Sequence, residues 1–257
     1  MGFLSLINNF LNSSGYEIKK IPEIDPLRKS LSESYSLLLE QGFRPKTAID
    51  VGVAEGTPEI YSAFPEAYYL LVEPLSEFEP HLKSILENLK GSYIIAAAGS
   101  KAQQIKFNVH HGHLQGSSMY KETMGSQADG EERLVEMVRL DEIIQKRKLQ
   151  GPYFLKIDVQ GAELDVLGGC GSILDSTEVI VLEVSMFQFM KDAPEFHDVV
   201  LYMKKIGYVA YDIILGWNRP LDNALGQVDI VFVQENGRLR KDHSYSTIEY
   251  LSEKLIK

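Results

Sequence analysis

Only one cysteine, Cys170, occurs in the 257 residues, so no disulfide can form within the chain. A chain of this length can bury a full core without such a staple. Long apolar runs are also missing, and none approaches the roughly 20 residues that cross a bilayer. No membrane span is expected. The first dozen residues lack a basic segment ahead of an apolar stretch, which argues against a secretory signal. Leu6 stands where N-myristoylation needs Ser or Thr. A reduced, cytoplasmic setting is the expectation. Basic residues are too few for a polyanion surface: 26 Lys and Arg face 36 Asp and Glu, a net charge of -10. With no basic stripe, nucleic acid is not an expected partner.

What is present is ordinary globular composition, 44% hydrophobic and 24% charged. Phe3, Leu4, Ile7, Phe10 and Leu11 have helical spacing. A short amphipathic helix there would dock on the body or on a second copy of the chain, making a homo-oligomer. Asp25-Pro26 reads as a helix start. Leu27, Leu31, Tyr35, Leu38 and Leu39 form an apolar face, and Gly42 ends the helix. Residues 1–45 are thus expected as a helical extension packed on the core, and residues 46–257 as the main domain.

From there strand-like runs alternate with helical patterns. Strands are expected at 48–51, 68–72, 93–98, 153–157, 179–184, 208–214 and 228–233. Helices are expected at 58–64, 75–89, 140–148, 162–167 and 194–206. Buried strands alternating with helices imply a mostly parallel sheet covered on both faces. The last two strands are joined by about 13 residues without a helical pattern, too little for a parallel crossover, so a closing antiparallel hairpin is expected. Residues 112–132, rich in Gly, Ser and polar side chains, read as a mobile loop.

In open α/β sheets ligands bind beyond the carboxyl ends of the strands. Here those ends carry Asp50, Glu73, Asp158 and Glu183, with glycines between. The first turn holds Gly52 and Gly56, which allow tight turning and close approach of a ligand. Its spacing is not the G-x-G-x-x-G of dinucleotide sites. An acid before the first glycine repels a pyrophosphate and suits a cation. Glu73 can accept hydrogen bonds from ribose hydroxyls. Asp158 and Glu163 can orient an acceptor hydroxyl and take its proton. Lys156, inside a buried strand, is expected to pair with an acid. His110, His111 and His113 form His-His-Gly-His, and His113 is an alternative base. No cysteine or defined third ligand lies near them, so metal is not expected. Ser117, Ser118, Glu183 and Trp217 are candidate acceptor contacts, and Ala98 a flank for an adenine.

These segments resemble the FkbM-type methyltransferases in order, from about residue 48 to 235. The matching runs are Ile49-Asp50-Val51-Gly52-Val53-Ala54-Glu55-Gly56, Val72-Glu73-Pro74, Gly116-Ser117-Ser118-Met119 and, most specific, Leu155-Lys156-Ile157-Asp158-Val159-Gln160-Gly161-Ala162-Glu163. Glu183-Val184-Ser185 and Asp229-Ile230-Val231-Phe232 follow. One departure is Ala54, where the family usually has Asn. The resemblance implies a Rossmann-like class I methyltransferase fold: a seven-stranded, mostly parallel sheet with a terminal antiparallel hairpin and helices on both faces. It implies S-adenosyl-L-methionine as donor, held by Asp50, Gly52, Gly56, Glu73 and Ala98. The reaction it implies is usually O-methylation, here of a small hydroxylated acceptor such as a sugar or polyketide. A nicotinamide-dependent oxidoreductase would carry the missing G-x-G-x-x-G. A non-catalytic binding module would not be expected to retain acids at every strand end.

Overall fold

The computed structural model describes residues 27–250. Residues 28–241 form one compact unit. The described residues 27 and 242–250 belong to a second unit, in which Asp242 accepts from the Ser244 amide at 2.8 Å. The helix expected around Phe3 to Leu11, and any docking through it, lies outside the described residues. So does the Asp25-Pro26 helix start.

In chain order the elements are α1 (Leu31–Glu40), β1 (Thr47–Val51), α2 (Pro58–Ala63), β2 (Tyr68–Glu73), α3 (Glu79–Asn88), β3 (Gly91–Ile95), β4 (Ala97–Ala98), β5 (Gln103–Val109), β6 (Glu131–Val138), α4 (Leu140–Arg147), β7 (Tyr153–Ile157), α5 (Glu163–Gly168), β8 (Thr177–Ser185), α6 (Phe196–Lys205), β9 (Tyr208–Leu215) and β10 (Gln227–Gln234). The main sheet has seven strands in the order β3-β2-β1-β7-β8-β10-β9. Pairing is parallel from β3 to β8, and β10 runs antiparallel between β8 and β9. This is the expected class I architecture with its closing hairpin. The chain winds outward from β1 to β3 and then returns to the other side of β1. The switch point, where ligands bind in such sheets, therefore lies between β1 and β7.

Period-two alternation explains the two covering layers. Ile49, Val51, Leu155, Ile157, Ile180 and Leu182 face α4, α5 and α6 through Leu140, Ile144, Val166, Leu167, Val199 and Met203. Ala48, Phe154, Val179, Val181 and Val231 face the opposite layer, where Tyr35, Leu38, Ile60 and Leu82 come from α1, α2 and α3. Along each strand the even and odd positions thus serve different cores.

Several expectations change. Residues 28–30 are not helical; α1 begins at Leu31, because the Ser30 hydroxyl caps it by accepting from the Glu33 amide at 3.3 Å. The helix expected from residue 75 begins as a 3-10 turn at Ser76–Phe78 and becomes α3 at Glu79, with Pro80 in its first turn. The strand expected at 93–98 is two strands: β3 stays in the main sheet, while β4 leaves it to pair with β6. A second, three-stranded sheet, β4-β6-β5, was not anticipated. β5 and β6 carry many exposed polar residues, and their buried apolar side chains are Phe107, Val109, Val135 and Met137. These four form a small core with Leu75, Phe78 and Ala97.

Phe154 is fully buried, with ring centroids 5.4 Å from Tyr35 and 5.1 Å from Phe64. Phe154→Ala should lower the unfolding free energy by about 3–5 kcal/mol in denaturant titration. A loss below about 1 kcal/mol would show that this layer does not pack as described.

Candidate functional site

The carboxyl ends of β1, β2, β7 and β8 open into a cavity of about 690 Å³. That lies within the usual range for small-molecule sites. One end is lined by Gly52, Ala54, Glu73, Leu75, Phe78 and residues 96–98, the other by Lys156, Asp158, Gln160, Glu183, Gln227 and Asp229. The second sheet supplies a side wall through Phe107 and the 3-10 turn at Leu114–Gly116 that follows β5.

The first turn is shaped by backbone demands. Gly52 has φ +77, and a β-carbon there would lie 1.7 Å from the Asp158 carbonyl oxygen. Only glycine lets the turn after β1 press against the turn after β7. Ala54 has φ +46, in the left-handed region that Asn enters more readily than Ala. This supplies a physical reason for the Asn usual at that position. What Ala54 contributes is main chain: its N–H donates to Glu73 Oε2 at 2.9 Å. Glu73 Oε1 accepts from the Leu75 amide at 2.9 Å. The carboxylate is thus clamped in one orientation on the cavity wall, with a lone pair still available on each oxygen. Burial pushes its pKa up to about 7, against the opposing effect of those two N–H groups.

Asp50, expected against the donor, does not line the cavity. The first turn of α2 covers it: it is fully buried, and Oδ2 accepts from the Tyr61 hydroxyl at 2.8 Å. Burial raises its pKa, and Lys156, its partner in the β1–β7 register, opposes this. Glu163 is also off the wall. Its carboxylate turns back to accept from the Gly161 amide at 3.0 Å, and burial holds its pKa up at about 7. Ser118 is fully buried and acts as a clamp, donating to the Gln160 carbonyl at 2.8 Å and accepting from the Tyr120 amide at 3.0 Å. The segment expected as a mobile loop is tied down at this serine.

The remaining expected residues do meet. Gly52, Gly56, Glu73, Ala98, His113, Ser117, Asp158, Glu183 and Trp217 all line the cavity. The three histidines are separated: His111 pairs with Glu131 at 2.7 Å on the surface, His110 lies 3.4 Å from Glu122, and His113 faces the cavity. Among the described residues no group of three or more His, Cys, Asp or Glu is placed to hold a metal. No described helix is long and apolar enough to cross a membrane.

Among the described residues Lys156 is the only Lys or Arg on the cavity wall, which also carries Glu55, Glu59, Glu73, Asp158, Glu183 and Asp229. Its Nζ lies 3.0 Å from Asp158 Oδ2. Burial works against the ammonium, but Asp158 and Asp50 outweigh it and the pKa is raised. Gln160 and Asp229 stood in the family-like runs without a role of their own, and Gln227 was not singled out. Gln160 sits at φ +55 in the turn after β7, and Asp229 faces Glu183 across the β8–β10 register. The sequence signals for Asp229 were its place in the family-like Asp229-Ile230-Val231-Phe232 run and an acid within an otherwise apolar strand.

The sequence pattern of the Methyltransferase FkbM domain matches residues 50–210, more than half of the chain and all of the cavity's strand-end acids, while Trp217, Gln227 and Asp229 lie beyond it. The chain belongs to the FkbM methyltransferase family. No curated protein matches the sequence. Among solved structures it is similar to precorrin-6y C5,15-methyltransferase from Geobacter metallireducens, with 12% identity over 85% of this chain and 98% of that one, TM-score 0.42. It is also similar to magnesium protoporphyrin IX methyltransferase from Synechocystis, solved with bound SAM, with 8% identity over 91% and 98%, TM-score 0.43. An rRNA methylase from Streptococcus thermophilus has 8% identity over 81% and 98%, TM-score 0.43. These likenesses are remote. The family's Asn position coincides here with the strained backbone of Ala54.

Ala54→Gly removes that strain without touching the N–H that holds Glu73. It should raise stability by about 0.5–1 kcal/mol in thermal or denaturant unfolding. A loss of stability would show that the turn does not adopt this backbone.

Proposed function

We propose that the protein transfers a methyl group from S-adenosyl-L-methionine to a hydroxyl of a small acceptor, such as a sugar, a polyketide or another hydroxylated metabolite. The observation that carries the reading is the division of one cavity into a glycine-lined end with a clamped acid and an end with a lysine-paired acid. The first end suits the donor. Glu73 offers a free lone pair on each oxygen to the two ribose hydroxyls, and residues 96–98 form a small apolar wall for the adenine. Gly52 leaves room for close main-chain approach. The acidic walls favour a cationic donor over an anionic cofactor.

When bound, the donor supplies an electrophilic methyl on a sulfonium. The protein's part is alignment of the acceptor oxygen with that methyl, which is worth several orders of magnitude in rate. Asp158 lies at the end of β7, beside the switch point. Lys156 fixes Oδ2, and Gln160 donates to Oδ1 at 3.2 Å. An aspartate held in this way orients the acceptor hydroxyl and takes its proton as the new bond forms. Trp217, at the cavity mouth, offers an exposed aromatic face to the rest of the acceptor.

Calorimetry with S-adenosyl-L-methionine tests the donor end. Glu73→Gln should weaken binding at least about tenfold, since two hydrogen bonds to a charged acceptor are replaced. Because burial holds Glu73 protonated below about pH 7, affinity should rise with pH through that value. Glu73→Gln should abolish the rise. Equal affinities for the two proteins would remove the ribose assignment. Asp158→Asn tests the acceptor end: kcat in a labelled-methyl assay should fall by about 10²–10⁴ with donor affinity little changed. An unaltered kcat would show that the proton leaves by another route.

A further inference from the structure

The end of the cavity around Asp158 holds a second carboxyl group in a different situation. Ile157 pairs with Leu182 in parallel register, so Asp158 and Glu183 emerge side by side from neighbouring strands. The Gln160 amide bridges them, donating to Asp158 Oδ1 at 3.2 Å and to Glu183 Oε2 at 3.0 Å. Lys156, the one Lys or Arg lining the cavity among the described residues, is committed to Asp158 at 3.0 Å. On its other side Glu183 faces Asp229, its direct cross-strand partner on β10. Like charges opposed in this way are unfavourable. The groups around Glu183 are therefore Lys156 and Asp158 from β7 and its end, Gln160 from the turn, and Gln227 and Asp229 from β10.

The hydrogen bonds show which oxygen can carry a proton. Gln227 also donates to Glu183 Oε2, at 3.1 Å. Two amide donors converge on Oε2. Oε1 receives neither and is the place for a hydrogen. We propose that Glu183 works as a neutral hydrogen-bond donor to the acceptor, so that the site takes compounds with two neighbouring oxygens. The proposal rests on the methyl-transfer reading above. One oxygen is the hydroxyl that loses its proton to Asp158. The other is a hydroxyl, ether or carbonyl oxygen that accepts from Glu183 Oε1–H. In the transfer the acceptor O–H bond breaks toward Asp158, and the O–CH3 bond forms as the S–CH3 bond breaks with its electron pair left on sulfur. Asp158 then passes its proton to water, and Glu183 keeps its own. One strand spacing, about 4.8 Å, separates the two carboxyl-bearing strand ends, a fit for adjacent oxygens. Burial, with the charges of Asp158 and Asp229 and a hydrogen bond shared with Asp158 adding to it, pushes the pKa of Glu183 well above the ordinary carboxylate range, and a bound acceptor takes over that hydrogen bond.

The test uses the full-length protein with carbon-13-labelled glutamate carboxyls, bound to S-adenosylhomocysteine, the donor's product. The signal that vanishes in Glu183→Gln should titrate well above the ordinary carboxylate range. It should also shift with cyclohexane-1,2-diol and not with cyclohexanol. Affinity for the diol should survive in Glu183→Gln, which keeps a donor, within about threefold, and fall at least about tenfold in Glu183→Ala. Titration in the ordinary carboxylate range, an equal response to cyclohexanol, or a Gln variant as weak as the Ala variant would each overturn the proposal. Failure of the unsubstituted protein to bind S-adenosylhomocysteine would instead remove the reading on which it rests.

Discussion

One buried lysine among four acids is the constraint around which the working end of this protein is arranged. Lys156 sits inside the sheet on the same face as Asp50, Glu183 and Asp229, with Asp158 just beyond the end of its own strand. A lone ammonium there would be costly to desolvate, and so would any of the carboxylates. Together they are tolerated, but one positive charge cannot serve four negative ones. The acids are therefore forced into different states. Asp158 takes the ion pair, Asp50 is sealed under α2 beside a tyrosine hydroxyl, and Glu183 is left with amides. Unequal environments of this kind let chemically similar groups divide an acid–base task.

The glycine at the start of the site is coupled to this arrangement. Because Gly52 has no side chain, the turn after β1 lies directly on the carbonyl of Asp158. The donor end and the acceptor end are thus parts of one packed unit. The clamp on Glu73 extends that unit to β2, through the amides of Ala54 and Leu75. The second sheet completes it from the side. Its small core shares Leu75 and Phe78 with the cavity wall, and Ser118 fastens its connecting loop to Gln160. Preorganisation of the site is therefore spread over five strand ends and two sheets.

Much of this was legible in the chain itself. Uninterrupted apolar runs such as Phe154-Leu155 and Val179 to Leu182 can only be buried strands, because both faces of the sheet are covered. The acids at their ends stand out for the same reason: apart from Lys156, little that is polar interrupts those runs. β5 and β6 were not legible, because much of each strand is polar and exposed, and their few buried residues find partners distant in the sequence, among them Leu75, Phe78 and Ala97. The backbone requirement at Ala54 was likewise hidden, since a φ angle is not written in a side chain.

Local sequence determined the alternation of strands and helices, the glycine turn and the placement of carboxylates at strand ends, because these follow from periodicity and from the steric needs of single residues. Which carboxylate faces the cavity was decided only by tertiary structure. Asp50 and Glu163 carry the same chemical group as Glu73 and Asp158, yet a helix turn covers the first and a backbone amide captures the second. The difference lies in what packs against each group from elsewhere in the chain.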